Sequence, residues 1–236
     1  MNKPKTYNAA SIAKRMLLIT LLGGVLYAGI HIYRIVDANS ANKHTGNKAY
    51  LKRKNNPWNK AAVDSTNRLL RTGDLVVRRG DDMTSYMLSQ LNTTDKTYSH
   101  CGMVVIENGQ PFVYHSIGGE DNPNEKLRKD RAVFWFSPAN NMAYAVFRYP
   151  YSDSALPGLV GVIDSFYRQQ VMFDMDFDLK TDDRMYCSEM IYKALKNGID
   201  NNIDLEPHTR FGRTYIGVDD LYRNEDTRLV CQIRFK

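Results

Sequence analysis

A chain of 236 residues with a net charge of +6 and three cysteines can build one substantial core, but it has no evident disulfide framework. Its basicity is local: residues 1–60 carry eleven Lys/Arg against Asp37 alone, and the remaining 176 residues hold a net charge of −4. The folded part is therefore mildly acidic and lacks a base-reading motif, which argues against nucleic acid as a partner.

Residues 1–15 read as a basic tail containing Lys3, Lys5, Lys14 and Arg15. From Met16 to Tyr33 no residue carries a charge apart from the titratable His31. As a helix that run is about 27 Å long, near the thickness of a bilayer core. Residues 16–36 are accordingly expected to be an uncleaved transmembrane signal anchor, with the lipid bilayer as a partner. Ala38-Asn39-Ser40 is a weak alternative cleavage site. A basic polar linker is expected over residues 37–56, with Lys52-Arg53-Lys54 suited to anionic headgroups. Positive-inside logic puts the short tail in the cytoplasm, although the basic residues after the span argue the other way.

One domain is expected over residues 57–236. Pro57 to Arg71 reads as a helix, Asp74 to Arg79 as a strand and Met83 to Leu91 as a short helix. His100-Cys101-Gly102-Met103-Val104-Val105-Ile106 and Phe112-Val113-Tyr114-His115-Ser116 read as two strands. Asn108-Gly109 between them is a strong hairpin signal. Residues 132–136 and 143–149 read as further strands. Asp153 or Ser154 is placed to cap a helix carrying Leu159, Ile163, Phe166 and Tyr167. A helix follows Cys187, with Met190, Ile191, Ala194 and Leu195 at helical spacing and Gly198 as its stop. Leu229 to Phe235 reads as a terminal strand. Strands massed in the middle with helices around them give an α+β class with an antiparallel sheet.

Cys187 lies in Tyr186-Cys187-Ser188-Glu189-Met190, where a polar loop turns into that helix. Unpaired N–H groups and the positive helix end there favour a thiolate and suit an oxyanion. Most free cysteines are simply small buried residues, so the histidines decide the reading. His100 and His115 fall on adjacent antiparallel strands, close enough to act as base and orienter. His31, His44 and His208 lie in less informative settings. Zinc is disfavoured: no paired ligand spacing is present, and Cys101 neighbours His100 on a strand, so the two point to opposite faces. The acidic run Asp174 to Asp183 fails as a calcium loop, since Leu179 and Met185 stand where glycine and glutamate are needed.

These segments resemble the permuted NlpC-type papain-like cysteine hydrolases, the YiiX-like group. The likeness covers roughly residues 70–200 and rests on Gly73-Asp74-Leu75-Val76-Val77-Arg78, on Tyr98-Ser99-His100-Cys101-Gly102-Met103-Val104-Val105 and on Tyr186-Cys187-Ser188-Glu189-Met190. The order histidine, polar residue, cysteine is the permuted one. The resemblance implies Cys187 as nucleophile, His100 as base and His115 as the third residue, a position where the group often has glutamate. It also implies a papain-like antiparallel sheet with packed helices.

The expected activity is cleavage of an amide through a thioester acyl-enzyme, without a cofactor or metal. The expected substrate is a peptide, a peptidoglycan stem or a related envelope amide. A lipid-like ester substrate or an acyltransferase of the same fold is the alternative, and a tethered binding module without catalysis is a third reading. Tyr98, Tyr186 and Ser188 are pocket or oxyanion candidates. The expected localisation is a single-pass membrane protein with its catalytic domain on the periplasmic side.

Overall fold

The computed structural model describes residues 16–30, 32, 48–119, 122, 124–199, 203–210 and 212–236. The chain divides into two units, residues 1–44 and 45–236.

In the first unit, residues 16–30 form helix α1, whose apolar side chains are exposed. Among the described residues no helix is long and apolar enough to cross a membrane. This overturns the expected single-pass localisation and, with it, the transmembrane element of the expected fold. The basic tail over residues 1–15 and the first part of the linker, residues 37–47, lie outside the described residues.

The second unit starts earlier than residue 57. Helix α2 (Lys48–Asn55) occupies the later part of the expected linker. Arg53 ties it to the domain by an ion pair with Asp81 and a hydrogen bond to the Pro138 carbonyl. Helix α3 (Pro57–Leu69) follows, capped by the Asn56 side chain on the Trp58 N–H, with proline at its first turn.

Six antiparallel strands form the main sheet in the order β4-β3-β2-β1-β5-β8. They are β1 (Leu75–Arg79), β2 (His100–Glu107), β3 (Gln110–His115), β4 (Arg128–Arg131), β5 (Ala143–Arg148) and β8 (Arg228–Arg234). The β2–β3 hairpin turns at Asn108 and Gly109, both with positive φ (49° and 75°). That pair of left-handed residues is what a tight hairpin turn requires, and Asn-Gly adopts it at least cost. A small hairpin, β6 (His208–Arg210) and β7 (Arg213–Tyr215), stands apart from this sheet.

Alternation along the strands feeds two cores. Leu75, Val77, Cys101, Met103, Tyr114 and Ala145 point to one face, against helices α6 (Leu156–Arg168) and α7 (Cys187–Gly198). Val76, Val104, Val113, Tyr144 and Val146 point to the other, against Val63 and Leu70 and against Trp135 and Phe136. Because both faces are covered, the central strands read as nearly continuous apolar runs. Met190, Ile191 and Leu195 of α7 are almost fully buried, and each contributes about 1.5–3 kcal/mol by leaving water. Helices α6 and α7 touch backbone to backbone at Gly158 and Gly198. A Cβ on Gly198 would lie 2.7 Å from the Leu159 Cα, so only glycine fits.

Two sequence expectations fail locally. The run over 132–136 is not a strand: β4 ends at Arg131, and Ala132–Trp135 forms the short helix α5. Its apolar residues enter the second core through Ala132, Trp135 and Phe136, a one-sided pattern that a short helix meets as well as a strand. Helix α6 takes Ala155 as its N-cap, without a side-chain cap from Asp153 or Ser154. Between β1 and β2, α4 (Met83–Ser89) is capped by Asp82, whose carboxylate accepts the Ser85 N–H at 2.8 Å.

Candidate active site

Helix α7 begins at Cys187, with Tyr186 as its N-cap in extended backbone. The Glu189 carboxylate accepts the Tyr186 N–H at 3.2 Å and so closes the first turn from within. Glu189 is fully buried and lies 2.9 Å from Lys193. Burial raises its carboxyl to about 7 against the opposing pull of Lys193. The sulfur therefore sits at the first residue of a helix with a fixed start, beside backbone N–H groups that have no intrahelical acceptor.

The strand side of the site is equally constrained. Ser116, just past β3, donates to the Met185 carbonyl at 2.5 Å, which draws the residues before Cys187 against the end of that strand. Asn92 donates to the carbonyls of Asp95 and Tyr98, and Asp219 accepts the N–H groups of Thr93, Thr94 and Asp95, so the loop leading into His100 is pinned. Val218 donates to Asn92 at 3.2 Å, and Ile216 is clipped to the start of α7: its N–H donates to Tyr186 Oη and its carbonyl accepts from Ser188 Oγ. The segment 216–219 thus holds the loop before His100 and the start of the Cys187 helix in one frame.

Within that frame the structure brings Cys187, His100 and His115 together. Cys187 lies against His100, close enough that each shifts the other's protonation. His100 Nε2 lies 2.9 Å from His115 Nδ1, the rings meeting edge to face, and His115 Nε2 lies 3.0 Å from Asp130 Oδ2. Trp135 packs beside both imidazoles, at 6.1 and 6.3 Å between ring centroids, and excludes water from that side. Arg78 lies over the Trp135 ring at 4.8 Å and donates to its carbonyl.

Burial, aided by Arg78, pushes His100 down to about 4, although its bond with Cys187 works the other way. His115 also falls to about 4, again chiefly through burial and against the pull of Asp130. For Asp130 burial acts upward, but hydrogen bonds from His115 and Arg128 prevail and hold it at about 2. Cys187 is held well below the usual thiol range: a hydrogen bond from Cys101 leads, outweighing burial, and His100 adds to it. Cys101 moves the opposite way, driven well up by burial and by that same contact. Together these describe one arrangement in which Cys101 keeps its proton and donates to the Cys187 sulfur.

The other expected site residues have different employment. Tyr98 is buried, accepts from Gln232 Nε2 at 2.7 Å and meets Tyr222 edge to face. The hydroxyls of Tyr186 and Ser188 both go to the Ile216 backbone, so these residues hold the helix start in place. The acidic run at 174–183 folds as a loop on its own carboxylates, with Asp174 accepting from Asp176 and Asp178 N–H groups. Two members of the cluster were not singled out from sequence. Cys101 was set aside because it faces away from His100, yet that opposite face is where α7 lies. Asp130 sits in Arg128-Lys129-Asp130-Arg131, a charged run with no apolar periodicity to mark a strand.

The fold and this cluster define an α+β protein with a buried thiol–imidazole pair at a helix start. No family model matches the sequence. The chain is similar to the uncharacterized protein YiiX of Escherichia coli K12, with 25% identity over 131 residues, 55% of this chain and 59% of that protein. The match thus spans less than two thirds of that relative. The crystal structure of metalloprotein YiiX from Escherichia coli O157:H7 shares the fold, with a TM-score of 0.58 and 21% identity over 70% of this chain and 98% of that one. These findings support the YiiX-like part of the resemblance.

Proposed function

We propose that this protein is a cysteine hydrolase that cleaves an amide bond through a thioester. Cys187 is the nucleophile, His100 the base and His115 the residue that holds the base. The observation that carries the reading is the Cys187 sulfur at the first residue of α7, held low by Cys101 and His100 while His100 is backed by His115. The thiolate attacks the carbonyl, and the N–H groups at the start of α7 receive the developing oxyanion. His100 protonates the leaving amine and then activates water for deacylation. The substrate class follows from the NlpC-type resemblance: a peptide stem of the cell wall or a related envelope amide.

The metal attributed to the Escherichia coli O157:H7 protein does not fit this donor set. His100 Nε2 and His115 Nδ1 are bonded to each other and His115 Nε2 is bonded to Asp130, which leaves His100 Nδ1, the nitrogen left to face the thiol. The lone pairs needed to ligate a common ion are committed within the cluster. Among the described residues no group of three or more His, Cys, Asp or Glu side chains is arranged to hold one.

The test is iodoacetamide alkylation of the full chain against pH, followed by turnover on wall peptides and lipid esters. Reaction well below pH 8, mapped to Cys187 and slowed in His100→Ala, is expected. Turnover should fall by at least about 1,000-fold in Cys187→Ala and His100→Ala. An ordinary or inert thiol at Cys187, or turnover that survives either substitution, refutes the assignment.

A further inference from the structure

We propose that Asp130 is the positioning residue of this site: acting through His115, it fixes the His100 tautomer that accepts the Cys187 proton and draws the resulting positive charge one ring away from the sulfur. The inference rests on the cysteine reading above and assigns a role to a residue that the reading does not use.

The geometry leaves one assignment of protons. A carboxylate accepts and cannot donate, so the 3.0 Å contact between Asp130 Oδ2 and His115 Nε2 places a proton on that nitrogen. A neutral His115 then presents a lone pair at Nδ1. At 2.9 Å from it, His100 Nε2 must be the donor, and a neutral His100 therefore presents its own lone pair at Nδ1, the nitrogen left to face Cys187. With a single imidazole behind the base, nothing would choose between the two tautomers of that second ring. The surface-facing carboxylate makes the choice, and the choice travels inward through two rings.

The same chain sets where charge goes. When the thiol ionises, the S–H bond breaks and an N–H bond forms at His100 Nδ1. The proton on His100 Nε2 then crosses to His115 Nδ1, so one N–H bond breaks and one forms, and no electron changes hands. Sulfur is left with one negative charge, His100 is neutral and donates Nδ1–H to it, and His115 is the imidazolium. That ring, not His100, has a carboxylate in contact. The His115 side chain is 1% exposed, whereas Asp130 is 27% exposed and also paired with Arg128 at 2.8 Å. The pair thus moves positive charge from a closed site towards the edge of the sheet, where water lowers its cost.

The experiment uses the full chain with 15N-labelled histidine, in the wild type and in Cys187→Ala, Asp130→Asn and Asp130→Glu. In Cys187→Ala near pH 6 both rings should be neutral with protons on Nε2. In the wild type, once thiolate forms, His115 should carry the imidazolium signature and His100 a proton on Nδ1. Asp130→Asn should lose this pattern and slow Cys187 alkylation at pH 6 by about 100-fold, and Asp130→Glu should restore most of both. Wild-type tautomers and alkylation in Asp130→Asn, or an imidazolium on His100, would overturn the proposal. An unreactive wild-type thiol sinks the hydrolase reading instead. The tautomers in Cys187→Ala still decide the role of Asp130, because they need no nucleophile.

Discussion

Two of the described histidines pair with aspartate at the same distance: His115 with Asp130 and His208 with Asp220, each at 3.0 Å from Nε2 to a carboxylate oxygen. His115 stands at the end of β3 with its side chain 1% exposed, and its other nitrogen is bonded to His100. His208 stands at the start of the small β6–β7 hairpin, 42% exposed, beside Tyr215. Both pairs satisfy the same hydrogen bond. Only the first passes anything on, because its second nitrogen meets a buried group and water cannot substitute for the partner. A His–Asp contact is thus not a site in itself; burial and the bond on the far side of the ring make it one.

Removing each ring gives the largest contrast. His115→Gln should lower turnover by about 100-fold, since the base loses the group that orients it, while His208→Gln should leave turnover unchanged. Steady-state kinetics on the same substrate, after circular dichroism has shown both variants folded, decides the matter. Equal losses would show that the two contacts are equivalent.

Acid should break the buried pair first. Apart from the one proton that Cys187 passes to the pair, His100 and His115 take up none until about pH 4, against about 6.5 in an unfolded chain. Lowered folded values mean that the unfolded chain binds protons first. Their contribution is complete above pH 6.5 and is lost as the pH falls to 4, by up to about 3 kcal/mol for each ring. Asp130, held at about 2, adds a further loss between about pH 4 and 2. Urea unfolding from pH 7 to pH 4 should show the decline, and His115→Gln should flatten it. A wild-type midpoint that does not move over this range would mean that the rings are already protonated in the fold.

What the sequence revealed and what it hid have the same physical origin. Strands β2 and β3 were legible because β-branched runs flank an Asn-Gly pair, and α7 because its apolar spacing follows a polar loop and ends at a glycine. Both patterns are local. Asp130 escaped notice because β4 is an edge strand of four charged residues, Arg128–Arg131. Charge suits an unpaired sheet edge and erases the apolar alternation that marks a strand. Residues 132–136 were misread for the converse reason: an apolar run of that length marks burial without choosing between strand and helix. The linker over 37–56 was read from its polarity, yet α2 takes up its later part through contacts of Arg53 with Asp81 and Pro138 that no local pattern announces.

Cys101 tests the other face of β2. Its thiol gives Cys187 a hydrogen bond from the core side, opposite to the histidines. Cys101→Ala should therefore leave the His100–His115–Asp130 chain intact and slow Cys187 alkylation near pH 6 by roughly five-fold, as expected for one hydrogen bond of about 1 kcal/mol. A loss as large as that of His100→Ala would make Cys101 part of the central chemistry.

The smallest effect belongs to the exposed pair. His208→Ala removes a contact between a ring open to solvent and a carboxylate that keeps other partners, since Asp220 also accepts from the Gly217 N–H at 2.6 Å and from Thr93 Oγ1. Water replaces the lost donor and nothing is left buried without a partner, so the expected cost is below about 1 kcal/mol. It should fall further in added salt, because the His208 end of the pair is open to solvent. Asp220→Ala should cost more than His208→Ala, since it also frees the Gly217 N–H in the segment that Tyr186 and Ser188 clip to the start of α7. Urea midpoints for the two variants, at low and at high salt, measure that difference. Equal costs would mean that the ion pair, and not the backbone staple, is what Asp220 contributes.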